Sequence, residues 1–149
     1  MVNILSFKTE LGWISIAEDN KKLISVSFGK QKNKGGSATI NIFRNQIISF
    51  CLGKIKQFDM NLLLKGTMLQ KKIWKELKKI KYGKTKSYGD IAKTLNTSPR
   101  YVGNVCGQNN HLLVIPCHRV IRSDGSLGGF SGTGGIKLKQ KIIMLEKNE

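Results

Sequence analysis

Apolar and polar positions alternate through the first part of the chain. Leu11 to Ala17 and Leu23 to Phe28 each show the period of two of a half-buried strand, and Glu18-Asp19-Asn20-Lys21 between them reads as a turn. Residues 29–37 are polar and contain glycine, which predicts a loop. Across 40–54 the period lengthens: Ile40, Phe43, Ile47 and Phe50 recur at helical spacing, and Gly53 is suited to close the helix. This part predicts a small sheet with one helix over 1–61, and it carries no constellation of chemically active side chains.

From Leu62 onward the pattern is mostly helical. Thr67 is placed to cap a helix over 68–81, with Leu69, Ile73, Leu77 and Ile80 on one face and lysines on the other. Tyr82-Gly83 ends it. Ser87 is placed to cap a shorter helix over 88–95, with Ile91, Ala92 and Leu95 inward. After a turn at Asn96-Thr97, Ser98-Pro99 opens a third helix to about Gln108, with proline at the first helical position, where its missing N–H does no harm. Two short helices joined by a tight polar turn have helix-turn-helix proportions, and an ordinary αα-hairpin has them too. The apolar run Leu112-Leu113-Val114-Ile115 predicts a buried strand that stops at Pro116. Residues 120–130 read as a hairpin or irregular loop, the stretch to Gly135 is rich in glycine, and an amphipathic helix over 136–146 completes the chain. The fold class expected is α/β in the α+β sense, with a sheet-plus-helix domain over 1–61 and a helical domain over 62–149.

Charge narrows the partners. The 149 residues include 26 Lys and Arg against 9 acids, a formal net charge of +17, and 40% are hydrophobic, enough for a core. Such an excess suits a polyanion, an anionic membrane surface, or merely a lysine-rich proteome. Residues 1–61 hold nine bases and four acids while 62–149 hold seventeen and five, so a nucleic acid would dock on the second part. No run approaches the roughly 18 apolar residues of a membrane span. The N-terminus lacks the basic-then-apolar order of a secretory signal, so a reducing, cytoplasmic setting is expected, with no membrane partner. Cys51, Cys106 and Cys117 are an odd number at wide spacings, which fits neither a disulfide framework nor a zinc site, and with two histidines the chain offers no metal-ligand pattern.

Cys117 is the candidate nucleophile. It follows a buried run and a proline, and His118, Arg119 and a basic surround favour its thiolate, the reactive form. Cys51 and Cys106 read instead as small buried hydrophobes. In a regular strand His118 would face away from Cys117, so contact between them requires a turn or a bridging water. His111 has no partner in the sequence and reads as a loop residue. The glycine-rich stretch lacks the Gly-Lys-Ser/Thr ending of a phosphate loop and suits close backbone approach instead.

Ile115-Pro116-Cys117-His118-Arg119-Val120 resembles the active-site signature of the O6-alkylguanine-DNA alkyltransferases, the methylated-DNA–protein-cysteine methyltransferases. Gly66-Thr67 through Trp74 and Leu77, Gly83 to Tyr88, Arg100 to Gly103, Asn109, and Ser123 to Ser131 fall in the family's order, so the likeness covers 66–146. It implies DNA repair by direct reversal: an alkyl group moves irreversibly from guanine O6 to Cys117, without a cofactor, in a single turnover. It further implies that His118 takes the thiol proton through a water and that Glu146 holds His118. Tyr88 would donate a proton to the guanine, Asn109 would brace the active-site turn, Ser131 would donate to O6, and the carbonyls of Cys117 and Val120 would accept from the guanine amino group. Phe130, where the family commonly shows tyrosine, would keep an aromatic wall without a hydroxyl.

The same resemblance makes the helix pair a helix-turn-helix laid in the minor groove of double-stranded DNA, acting as a monomer and nucleoid-associated when bound. Arg100 would fill the space left by the flipped base, Gly103 and Gly107 would permit close approach, and Lys84, Lys86 and Lys93 would attract phosphates. The N-terminal domain would be support. The alternative is a non-enzymatic binder of alkylguanine lesions; such relatives lack the reactive cysteine, often having tryptophan at its position. A DNA-binding regulator and a thiol hydrolase are more distant readings.

Overall fold

The computed structural model describes residues 1–130 and 134–147, arranged as two compact units. The first comprises Met1–Leu64 together with Asn110–Leu112. Its sheet is an antiparallel meander in the order β1 (Asn3–Thr9), β2 (Gly12–Asp19), β3 (Lys22–Phe28), with a register irregularity at Ala17/Glu18. Helix α1 (Ala38–Cys51) packs on β1 and β2. Ile14, Ile16, Leu23, Val26, Ile40, Ile47 and Phe50 are all buried. Each large apolar side chain so buried contributes about 1.5–3 kcal/mol.

The outer edge of β3 explains why a distant segment joins this unit. Leu23 bonds Asn61 and Leu63, and Val26 bonds Asn110 and Leu112, through backbone N–H and C=O groups that would otherwise lack partners. His111, expected on a loop, is instead buried with a ring nitrogen 2.9 Å from Leu23 O. Strand β1 went unpredicted because only Phe7 of its seven residues is buried, so its pattern is faint.

The second unit is Lys65–Asn109 and the chain from Leu113 onward. Helix α2 (Met68–Lys78) starts at a capping box between Thr67 and Gln70, and α3 (Tyr88–Leu95) at another between Ser87 and Asp90. Helix α4 (Pro99–Gly107) is capped by Ser98, with Pro99 at its first turn. Asn96, at φ 56°, closes α3 in the left-handed conformation and turns the chain toward α4. These three helices pack on one another around Ile73, Trp74, Leu77, Ile91, Val102 and Val105, and the Trp74 indole N–H donates to Val105 O. The last helix, α5 (Gly135–Lys147), packs against a 3-10 turn at Cys117–Arg119. A short parallel pairing of β4 (Lys86–Ser87) with β5 (Val120–Ile121) brings the start of α3 beside the chain that follows Cys117.

The strand expected at Leu112–Ile115 is absent. The run is buried, but it forms a turn in which Leu113 takes φ 71°. The Asn109 side-chain amide donates to Ile115 O at 2.9 Å, and Cys117 N–H donates to the same carbonyl at 2.8 Å. Side chain and turn thereby do what a strand partner would do, and left-handed leucine costs about 1–2 kcal/mol.

Replacing Leu77, which is fully buried, by alanine is expected to destabilise the protein by about 2–5 kcal/mol in denaturant unfolding; a loss below 1 kcal/mol would show that the three-helix core is not packed as described.

Candidate active site

Cys117 begins the 3-10 turn and is almost wholly buried. Its thiol lies on the wall of a cavity of about 590 Å³, shared with Tyr88, Arg100, Gly103, Cys106 and Phe130. Burial pushes the thiol pKa up; a hydrogen bond with Asn109 and the nearby Lys139 charge oppose that without overcoming it. Cys117 therefore rests as a thiol. Arg119, expected to lend it charge, is turned elsewhere.

Arg119 binds Glu146 in a fork, Nε to Oε1 at 2.9 Å and one terminal nitrogen to Oε2 at 2.8 Å, while its other nitrogen donates to Ile80 O at 2.7 Å. The Ile80 carbonyl is available because α2 ends just before it, where Lys79 and Ile80 close the helix with tighter bonds to Glu76 and Leu77. Gly83 N–H donates to Glu146 Oε1 at 3.3 Å. Gly83 sits at φ 78°, and an added Cβ would lie 3.2 Å from Glu146 O, so both the turn and the approach to α5 favour glycine.

The fourth donor to Glu146 is His118, whose Nε2 lies 2.7 Å from Oε2. Burial alone would raise the Glu146 pKa, but the hydrogen bonds from His118 and Arg119, with the Arg119 charge, prevail and hold it at about 2. Burial pulls His118 the other way, below its ordinary value, against the raising effect of Glu146. A neutral imidazole facing a permanent carboxylate donates from Nε2, which assigns the tautomer and leaves Nδ1 with its lone pair. Nδ1 is buried and has no hydrogen-bond partner among the described residues. The 3-10 turn, not a strand, is what sets Cys117 and His118 in their relative positions.

Tyr88, the first residue of α3, stays protonated because burial raises its pKa to about 12, with smaller additions from Cys106 and Cys117. Gly128, at φ 72°, brings backbone against this ring, and an added Cβ would lie 3.1 Å from the Tyr88 hydroxyl. Lys139 on α5 is buried, and its ammonium donates to Val120 O at 2.6 Å, Leu127 O at 2.5 Å and Gly129 O at 3.2 Å, and to the Tyr88 hydroxyl at 3.4 Å. It ties α5 to β5 and to the loop that forms one cavity wall. The Val120 carbonyl thus already accepts one strong bond, which leaves one lone pair for a ligand.

The structure brings Cys117, Tyr88, Arg100, Gly103 and Phe130 to one cavity, and sets His118, Glu146 and Asn109 behind it. Lys84, Lys86 and Lys93 are exposed and, among the described residues, lie outside the cavity wall. Ser131 lies outside the described residues. Sequence reasoning missed Arg119 as a partner of Glu146 and missed Lys139 altogether. The only signal for Lys139 was a lysine between Leu138 and Ile142 on the apolar face of the last helix.

Comparison with known proteins decides the family. The profile of the 6-O-methylguanine DNA methyltransferase DNA binding domain matches residues 68–148. The methylated-DNA–protein-cysteine methyltransferase of Sulfolobus acidocaldarius is 35% identical over 142 residues, covering 94% of this chain and 90% of its own. This chain belongs to that family. The Methanosarcina acetivorans member is also 35% identical, over 150 residues, covering 94% of this chain and 95% of its own. Among solved structures, Mycobacterium tuberculosis OGT in complex with DNA superposes with a TM-score of 0.87 at 31% identity, over 97% of this chain and 92% of that one. Family members are methylated-DNA–protein-cysteine methyltransferases, and the α+β architecture seen here is theirs.

The buried carboxylate gives this methyltransferase a pH signature. The folded pKa of Glu146 is about 2 against an ordinary 4.5, so its contribution to stability, on the order of 3 kcal/mol, is full above pH 4.5 and lost as pH falls toward 2. Glu146→Gln is expected to lower stability at neutral pH and to flatten that acid limb in urea titrations. An unchanged acid limb would show that Glu146 is not held as a buried carboxylate.

Proposed function

We propose that Cys117 is the alkyl acceptor in the direct reversal of O6-alkylguanine damage in double-stranded DNA. Support comes chiefly from the cavity that holds a buried thiol with a neutral, oriented His118 behind it. Sγ attacks the methyl carbon, the bond from that carbon to O6 breaks, and its electron pair passes to the guanine. The thiol proton moves to His118 Nδ1 through one water, a group of the size and polarity that a buried unsatisfied nitrogen accepts. Tyr88 supplies a proton to the guanine ring as charge develops there, and the Lys139 ammonium beside its hydroxyl offsets the negative charge left on the phenol. The product is a thioether, which water does not displace, so each protein molecule acts once.

Access to the base requires flipping it from the duplex, at a few kcal/mol. In this reading α3 and α4 form a helix-turn-helix placed in the minor groove, Arg100 takes the vacated position, Phe130 walls the base, and Asn109 holds the turn that carries Cys117. Ser131 donates to O6, and Lys84, Lys86 and Lys93 draw in the phosphates. The first unit supports the second. One chain carries every group the reaction needs, which suits a monomer working in the cytoplasm at the nucleoid; among the described residues no helix is long and apolar enough to cross a membrane.

Gly103 and Gly107 support the docking of α4. Neither has the positive φ that demands glycine, and an added Cβ would meet a single atom at 4.0 Å at Gly103 and nothing within 4 Å at Gly107. Helical glycine costs about 1 kcal/mol relative to alanine, so the fold gains nothing from them and a closely approaching ligand explains them. Alanine at either position is expected to raise thermal stability while weakening duplex binding; stabilisation with unchanged binding would place the DNA elsewhere.

The acceptor is tested by mixing the protein with excess O6-methylguanine duplex and weighing intact protein and peptides. The expected outcome is one added CH2 on the peptide holding Cys117, absent in Cys117→Ala. Tight lesion binding with no mass change would point to a non-enzymatic lesion binder.

A further inference from the structure

Arg122 stands on the wall of the Cys117 cavity and has no part in the chemistry above. It is exposed, directly follows β5, and its backbone is fixed by Arg122 N–H to Ser126 O at 2.9 Å and Gly125 N–H to Arg122 O at 2.9 Å. No ion pair involving its guanidinium occurs among the described residues. The nearby Asp124 carboxylate is engaged by the backbone N–H and hydroxyl of Ser126. Ser123, the next residue, lines the same cavity and approaches the start of α3: a Cβ built on Gly89 would lie 3.2 Å from Ser123 Oγ. Gly89 is the second residue of α3, where a backbone N–H has no partner inside the helix.

We propose that Arg122, Ser123 and the first turn of α3 form a phosphate clamp at the cavity mouth, which grips a backbone phosphate flanking the flipped nucleotide. This rests on the reading that the cavity receives a flipped base. A base inserted to reach buried Cys117 draws its own phosphates to the rim, and the rim is where the exposed guanidinium sits. Arginine supplies a planar fork matched to phosphate oxygens, the hydroxyl supplies a further donor, and the helix start supplies the Gly89 N–H, which the Ser87–Asp90 capping box does not engage. Arg100, on the opposite element α4, serves a different purpose: it enters the stack. The two arginines therefore divide the work, one holding the duplex open and one holding the extruded nucleotide by its backbone. Arg122 is a binding residue, since the bond between Sγ and carbon forms deeper in the cavity.

The test is a chemical double-mutant cycle on the full-length protein. O6-methylguanine duplexes are prepared with natural phosphates, or with an uncharged methylphosphonate at the 5′ or the 3′ flank of the lesion. Wild type is expected to lose about tenfold in the rate of Cys117 methylation on one of these substitutions. Arg122→Ala is expected to lose about tenfold on the natural duplex and nothing more on that methylphosphonate, with an unchanged melting temperature and a salt slope reduced by about one. Arg122→Lys should recover part of the loss. Multiplying losses, or an unimpaired Arg122→Ala, would overturn the clamp. Failure of wild type to become methylated at all would instead overturn the functional reading on which the clamp rests.

Discussion

A carboxylate buried with four donors around it organises the second unit. Glu146 sits on α5 and ties down the 3-10 turn through His118 and Arg119, and the end of the α2 connection through Gly83. Left alone in the interior it would cost several kcal/mol and would protonate. Surrounded as it is, it keeps its charge far below neutral pH and dictates which nitrogen of His118 carries the proton. Arg119 supplies a permanent positive charge to the carboxylate and disfavours a second one on the imidazole, which is why His118 is free to stay neutral. Were the histidine the only partner of Glu146, an imidazolium would be favoured, and it would have no lone pair to offer.

That arrangement changes how the reactivity of Cys117 is understood. The thiol is not stored as a resting thiolate, because burial outweighs the nearby positive charge. A buried thiol resists adventitious alkylation and oxidation, a useful property for the proposed single-use acceptor. In the proposed reaction its proton departs only as the methyl carbon is attacked, toward a base already aimed and already neutral. Lys139 meets a second structural need. By binding three carbonyls it fixes the backbone of the glycine-containing wall, and it sets a positive charge beside the Tyr88 hydroxyl.

Much of this was legible in the residues. The caps at Thr67, Ser87 and Ser98 mark three helix starts, because a side-chain oxygen ahead of an apolar stripe does one local job and is read locally. The IPCHRV signature and the ordered matches around it located Cys117, His118 and Glu146, which lie together in the structure. What could not be read depends on long-range partners. Leu112–Ile115 has strand composition, yet its carbonyls are claimed by Asn109 and by a turn. His111 has no local partner, and only β3 shows why it is buried. Arg119 beside a cysteine suggests an activating charge, and its true engagement with a residue 27 positions away is invisible in the sequence. Lys139 on an apolar face reads as an interruption until the carbonyls it binds are in view.

The central claim is that Glu146 keeps His118 neutral, with its proton on Nε2 and its lone pair at Nδ1. Nitrogen-15 NMR of imidazole-labelled protein reads this directly, following His118 between about pH 5 and 8, the range in which an ordinary histidine titrates. The account predicts one protonated Nε2 and one unprotonated Nδ1 at neutral pH, with the imidazole titrating below its ordinary range. An imidazolium near neutral pH, or a proton on Nδ1, would contradict it, because neither form leaves a lone pair at Nδ1.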